Sequence, residues 1–181
     1  MISKSCSFET DRLDVSEWHL ISSNETWQEN LAQVLATMLT EPVMRHLPTA
    51  FHGDYTVARA RQWIRERDKE GTMLIAIEKT SQDPVGLIFF VKMDSEETTE
   101  SFEVRLGYLL SETVWGRGLA TEMVRGFVGW CRTQAPISTL VGGVDVDHPA
   151  SMRVLEKNRF QSVEAEGEGD QGQRIYRLIL R

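Results

Sequence analysis

Apolar residues along the chain change their spacing several times, and each change marks an element. From Asn24 onward Trp27, Leu31, Val34, Leu35 and Met38 recur at helical spacing, predicting an amphipathic helix that stops near Glu41-Pro42. A second helix is predicted from Asp54 through Val57, Ala60 and Ile64 to Gly71, with a strongly charged outer face. The spacing then becomes that of strands. Met73 to Lys79 and Val85 to Met93 are rich in β-formers and are joined by Ser81-Gln82-Asp83-Pro84, which reads as a hairpin turn. Phe102 to Leu110 alternates most regularly, with Phe102, Val104, Leu106 and Tyr108 on one face and Glu103, Arg105 and Gly107 on the other. Phe8 to Val15 reads as a first strand after a frayed start over residues 1–7.

Further on, Leu119, Ala120, Met123, Val124, Phe127, Val128 and Cys131 form a broad apolar stripe at helical spacing that ends before Pro136. Gly126 and Gly129 interrupt that helix at about 1 kcal/mol each, so a close approach to the sheet is expected there. A strand over Ser138 to Val146 follows, then a helix with Pro149 at its first position. Two strands, FQSVEAE and QRIYRLIL, close the chain around Glu168-Gly169-Asp170-Gln171-Gly172. Trp27, Trp63 and Trp130 lie on helical stripes and are expected in the core.

A chain of 181 residues, 41% of them hydrophobic, can bury one good core, so a single domain over 1–181 is expected. Its net charge of −7 repels a phosphate backbone, which argues against nucleic acid and allows a cationic partner. Cys6 and Cys131 have neither disulfide-framework nor zinc-ligand spacing, so both read as reduced thiols and no metal is expected. The longest apolar run, Val85 to Val91, is too short to span a bilayer, and no signal-peptide core is visible. A cytoplasmic protein with no membrane partner is the resulting expectation. The acidic stretches DSEETTESFE and EAEGEGD read first as solvated hairpin loops and, in a second reading, as steering for a cationic substrate.

One stretch carries chemistry: VWGRGLATEM, Val114 to Met123. A strand leads into Trp115-Gly116-Arg117-Gly118-Leu119-Ala120 and a helix follows, an order that aims unpaired backbone amides and the positive end of a dipole at one point. Gly116 and Gly118 would let a pyrophosphate approach without Cβ collisions, and Arg117 would add charge at the rim. Thr121 stands where a dinucleotide fingerprint needs its third glycine, and the lysine of a P-loop is absent.

Trp115-Gly116-Arg117-Gly118-Leu119-Ala120-Thr121-Glu122 resembles the acetyl-CoA pyrophosphate loop of the GCN5-related N-acetyltransferase (GNAT) family. Thr10-Asp11-Arg12-Leu13 resembles the first strand of its ribosomal-protein N-terminal acetyltransferase (RimJ/RimL-like) branch, and Gly107-Tyr108-Leu109-Leu110 the strand before the loop. His148-Pro149-Ala150-Ser151-Met152-Arg153-Val154-Leu155-Glu156-Lys157 resembles the Asn-x-x-Ser-x-Arg-Val-Leu-Glu-Lys helix of that branch. The likeness spans Thr10 to Leu180. It implies an α/β (α+β) fold: a mixed, mostly antiparallel central sheet of about six to seven strands flanked by helices and splayed between the fourth and fifth.

The resemblance implies acetyl-CoA as cosubstrate, with no metal, and direct attack of a primary amine on the thioester in a ternary complex. The acceptor would be a protein N-terminal α-amine or a small amine, and the protein a monomer or homodimer. Cofactor contacts are expected from Leu109, Leu110, Trp115, Gly116, Arg117, Gly118, Leu119, Ala120, Thr121, His148 and Ser151. Trp115 is also read as packing beside the loop. An α-amine near pKa 8 is neutral about a tenth of the time at pH 7, a lysine amine near 10.4 only about once in a few thousand, so the former needs a much weaker base. Glu103 is the candidate base, with a solvated strand residue or an ion pair to Arg105 as the competing readings. Ser151 is placed by its motif near the CoA sulfur to assist the departing thiolate, or else bonds backbone in its first helical turn. His148 is a candidate base or substrate contact. Backbone amides around Tyr108 to Leu110 would polarise the acetyl oxygen.

Four positions depart from the family pattern. His148 replaces the usual asparagine, Arg159 the glycine before Phe160, and Arg105 a frequent carboxylate; the tyrosine acid of many relatives falls at Leu155. Asp147 is expected to take over helix capping, and Asn158 to supply the left-handed C-terminal residue. The same departures allow a catalytically idle acyl-CoA binding module. A binder of another phosphate ligand is the third reading.

Overall fold

The computed structural model describes residues 5–20, 25–93, 101–164 and 172–180. Eight strands form one open sheet: β1 (Ser7–Glu9), β2 (Leu13–Glu17), β3 (Thr72–Glu78), β4 (Pro84–Met93), β5 (Phe102–Leu110), β6 (Ile137–Asp145), β7 (Gln161–Val163) and β8 (Gln173–Ile179). Their spatial order is β1-β2-β3-β4-β5-β6-β8-β7, and every neighbour pair is antiparallel except β5 and β6. A parallel pair needs a long crossover, and helix α4 (Leu119–Thr133) supplies it. The other helices are α1 (Glu25–Met38), α2 (Glu41–Met44), α3 (Val57–Glu70) and α5 (Pro149–Lys157).

Two cores lie on opposite faces of the sheet. On one, Leu119, Met123, Val124, Phe127, Val128 and Cys131 of α4 pack against Leu13, Leu74, Ile88, Val104 and Leu106, with Leu155 of α5 beside them. Each such side chain contributes about 1.5–3 kcal/mol on leaving water, so α4 anchors the domain. On the other face α1, α2 and α3 cover Met73, Ile75, Leu87 and Leu109, around a fully buried Trp63 that meets Trp18, Phe51 and Tyr55 edge-on. Trp130 is buried as well. The side chain of Trp27 lies outside the described residues.

Several expected boundaries move, each for a visible reason. The strand expected over Phe8–Val15 is a hairpin, β1 and β2, turning at Thr10-Asp11-Arg12 because Thr10 N–H donates to the Leu13 carbonyl. That division raises the strand count to eight. The frayed start does not extend to Cys6, which is buried and donates its amide to the Glu17 carboxylate at 2.6 Å, nor to Ser7, which opens β1. Helix α3 starts at Val57 rather than near Asp54, because Thr56 caps it by accepting from the Arg59 amide. Gly126 does lie against a strand: a Cβ there would meet the Phe8 ring at 2.5 Å. Gly129 has nothing within 4 Å, so close approach does not account for it.

The end of α5 also differs from expectation. Asn158 has ordinary torsions, and Arg159 takes the left-handed position at φ 67°. Arg159 N–H then donates to Glu156 and Phe160 N–H to Leu155, a Schellman closure built without glycine. Asn158 instead is buried and donates from Nδ2 to the carbonyls of Val154 and Thr121, tying α5 to the start of α4. At the other end of α5, His148 occupies the cap position with no side-chain cap, and the Asp147 amide donates to Asp145, so Asp147 does not take over capping.

Candidate active site

Strands β5 and β6 pair from Phe102↔Ile137 to Leu106↔Gly142 and then part, although β5 runs on to Leu110 and β6 to Asp145. The gap expected between the fourth and fifth predicted strands is therefore present. Ser111 N–H donates to Val85 of β4, so by the two-residue alternation of a strand Tyr108 and Leu110 turn their amides toward the gap. The loop before α4 opens at one mouth of this gap and the start of α5 stands at its side.

The loop is held from three directions. Gly116 and Gly118 have φ of 75° and 78°, values that only glycine adopts without strain, and Gly118 caps α4 with no side chain. Arg12, in the β1–β2 turn, donates from Nη1 to the Arg117 carbonyl at 2.9 Å and from Nε to Glu122 at 2.7 Å. Thr10 Oγ1 and the Arg12 amide both donate to the other Glu122 oxygen, at 2.6 and 2.8 Å. Burial opposes the charge on Glu122, yet the Thr10 hydroxyl and the Arg12 amide and guanidinium together hold its carboxyl below the usual range. Arg117 folds back onto Glu78 of β3, whose carboxyl is lowered first by that hydrogen bond. Trp115 is half exposed, not packed away, with its indole N–H on the Leu110 carbonyl at 2.9 Å.

What this scaffold leaves over is a row of donors. Among the described residues, the amides of Gly116, Arg117, Gly118, Leu119, Ala120 and Thr121 donate to no other group, while Glu122 N–H begins the helical ladder on Gly118. A Cβ on Gly116 would meet nothing within 4 Å, so there is room above the loop. A run of unpartnered amides, open space beside Gly116 and a helix dipole behind them fit a diphosphate.

Ser151, in the first turn of α5, faces Tyr108 of β5, with the two hydroxyls 2.8 Å apart. Tyr108 also donates to the Ser151 carbonyl at 3.2 Å. Burial pushes the Tyr108 phenol well above its ordinary range, with the Ser151 hydrogen bond opposing more weakly, so the phenol stays protonated. Its alternation placed Tyr108 on the core face; nothing in the local pattern signalled a partner 43 residues away. Glu103 lies on the opposite face of β5 from Val104 and Leu106 and is paired with Arg177 of β8 at 3.2 Å; the predicted ion pair with Arg105 gives way to this one. Arg105 reaches Gln173 at 3.5 Å. His148 stacks on His46, a residue that no sequence motif includes.

The family model described as Acetyltransferase (GNAT) domain matches residues 25–161. The chain belongs to the GNAT acetyltransferase family. It is an N-acetyltransferase, and the fold is one that binds acetyl-CoA. An acetyltransferase of the GNAT family from Bacillus anthracis has the same fold, with a TM-score of 0.72, 15% identity and coverage of 97% of this chain and 99% of that one. RimL, a ribosomal L7/L12 α-N-protein acetyltransferase solved with coenzyme A, gives 0.70 at 17% identity, covering 94% and 95%. An acetyltransferase from Agrobacterium tumefaciens gives 0.68 at 17%, covering 98% and 96%. No curated protein sequence matches the chain. No described helix is long and apolar enough to cross a membrane, and no group of three metal-ligating side chains occurs among the described residues.

Proposed function

We propose that this GNAT domain transfers the acetyl group of acetyl-CoA to a primary amine, a protein N-terminal α-amine or a small amine, and that it belongs to the RimJ/RimL-like branch. The observation that carries the proposal is the set of unpartnered amides from Gly116 to Thr121 at the mouth of the gap between β5 and β6. The thioester supplies an activated acyl carbon with a good leaving group. Gly116 to Thr121 bind the diphosphate through their amides, and Tyr108 and Leu110 direct theirs at the acetyl oxygen, stabilising charge that grows there during attack. The 2.8 Å contact between the two hydroxyls fixes the Ser151 side chain, so Ser151 is the acid-side residue and Tyr108 positions it. Leu109 and Trp115 wall the site, and Arg117 is spoken for by Glu78.

Glu103 is engaged in its ion pair with Arg177. A cytoplasmic location, a monomeric or homodimeric state and an acceptor that is neither nucleic acid nor membrane complete the proposal. RimL in its coenzyme A complex supports the N-terminal acceptor by likeness of fold only. The test is CoA release from acetyl-CoA against N-terminal peptides, polyamines and free amino acids, beside calorimetric binding of acetyl-CoA. Turnover with an amine is expected; binding without turnover across the panel would leave an idle acyl-CoA module, and stabilisation by ATP but not by acetyl-CoA would overturn the ligand.

A further inference from the structure

Helix α2 belongs to the layer that covers β3 and β4, with Val43 and Met44 buried, and it delivers His46 to the end of β6. His46 Nδ1 lies 3.1 Å from Asp145 Oδ2. The His46 ring also stacks on that of His148, with centroids 4.3 Å apart and planes within 16°. Asp145 is held below the usual carboxylate range, first by His46 and then by the Asp147 amide. An ionised carboxylate only accepts, so Nδ1 carries the hydrogen of the pair, and the neutral ring keeps its lone pair on Nε2. Among the described residues nothing is hydrogen-bonded to that Nε2, and a quarter of the His46 side chain is exposed.

A carboxylate holding one imidazole nitrogen so that the other takes a proton is the general design of an oriented base. Asp145 lies beyond the point where β5 and β6 part, and His148 precedes Ser151 by one helical turn, so the pair stands beside the gap. The charged and titratable groups acting on His148 are His46 and Asp145, and those acting on Asp145 are His46 and His148. His148 itself is held below the ordinary histidine range, first by burial and then by His46, so the plate under the base stays uncharged near neutral pH.

We propose that His46, oriented by Asp145 and backed by the ring of His148, is the general base that takes a proton from the acceptor ammonium. The inference rests on the acetyl-transfer reading of the same gap. His46 Nε2 accepts one proton from the ammonium, and the freed amine forms the C–N bond to the acetyl carbon. As the C–S bond breaks, Ser151 gives its hydroxyl hydrogen to the sulfur and regains one from the second proton leaving the amine nitrogen. The products are the amide, free coenzyme A and the proton that His46 returns to solvent.

The full-length protein with His46→Gln or Asp145→Asn tests this. His46→Gln is expected to lower kcat by about 10²-fold or more while the acetyl-CoA Kd stays unchanged. Its rate should then climb with pH up to the pKa of the amine, where the wild-type profile levels off earlier. Nitrogen NMR of the imidazoles in the ligand-free protein should show neutral His46 protonated on Nδ1, with that preference lost in Asp145→Asn. A wild-type pH profile in His46→Gln, or a neutral His46 protonated on Nε2, overturns the base. Acetyl-CoA binding without turnover in the wild type overturns the transfer reading and the base with it, and is told apart by the inactive parent.

Discussion

The loop proposed for the diphosphate and the side proposed for the acceptor are built by opposite means. The loop is nine neighbouring residues, Val114 to Glu122, clamped by one turn: Thr10 and Arg12 hold Glu122, and Arg12 also holds the Arg117 carbonyl. Its chemistry is in the backbone, so side chains serve only to fix a shape. The proposed acceptor side gathers His46, just after α2, and His148, just before α5, with Glu103, Arg105, Asp145, Gln173 and Arg177 from β5, β6 and β8, and there the chemistry is in paired side chains. A shape made by glycine torsions tolerates few substitutions, whereas a surface of paired side chains can be re-lettered one pair at a time. Constraint by the ligand is thus expected to be severe in the first region and loose in the second.

The strongest break of that contrast is Gly118→Asp. Any side chain at φ 78° is strained, and a carboxylate would stand among amides arranged for anions. Acetyl-CoA affinity is expected to fall by on the order of 100-fold or more with the circular dichroism spectrum unaltered, since the helix behind the loop is anchored by its own core. Calorimetry that finds wild-type affinity would remove the loop from the ligand site.

Next comes Glu122→Gln, which breaks the clamp rather than the shape. Charge-assisted hydrogen bonds to Thr10 and Arg12 are lost, a destabilisation of about 2 kcal/mol by denaturant unfolding at neutral pH. The sign with pH follows from the lowered carboxyl. Glu122 stabilises the fold above its unfolded pKa of about 4.3, and that contribution disappears as pH falls through its folded value. Parent and variant stabilities should converge in acid; parallel curves down to low pH would show that the clamp does not depend on the charge.

The same contrast explains what could be read before the fold was known. Elements with long periodic stripes, such as α4 and β5, appear where their spacing puts them, and the loop is legible because its residues are contiguous. The β1–β2 turn escaped because a three-residue reversal interrupts an imperfect alternation without glycine or proline. His46 and Asp145 are 99 positions apart, and Glu103 and Arg177 are 74 apart, so no window holds both partners. Arg105 was the near partner by spacing, but strands bring together residues across the sheet, and β8 supplies the cation instead.

On the acceptor side, Ser151→Ala is expected to lower kcat by roughly 10-fold, since a thiolate whose reference pKa lies near 8.5 leaves without much help. The acetyl-CoA Kd should stay within a factor of about 2. Tyr108→Phe should reproduce part of the loss in the parent and none of it in Ser151→Ala, because it acts through the serine hydroxyl. Additive effects in the double variant would separate the two residues.

The smallest effect sharpens the contrast by touching neither region. Helix α5 links them: its first turn carries Ser151 just after His148, and Asn158 near its end holds the Thr121 carbonyl of the loop helix. Arg159 closes that helix in the left-handed region, where its Cβ is crowded and glycine is not. Arg159→Gly relieves the crowding in the folded chain but frees the unfolded one, and at a left-handed position the first effect outweighs the second. A gain of about 0.5–1 kcal/mol in unfolding free energy is expected, with acetyl-CoA affinity and turnover unaltered, because the Schellman hydrogen bonds use only backbone. Should turnover change instead, the end of α5 would be coupled to its start, and the acceptor side would be held as tightly as the loop.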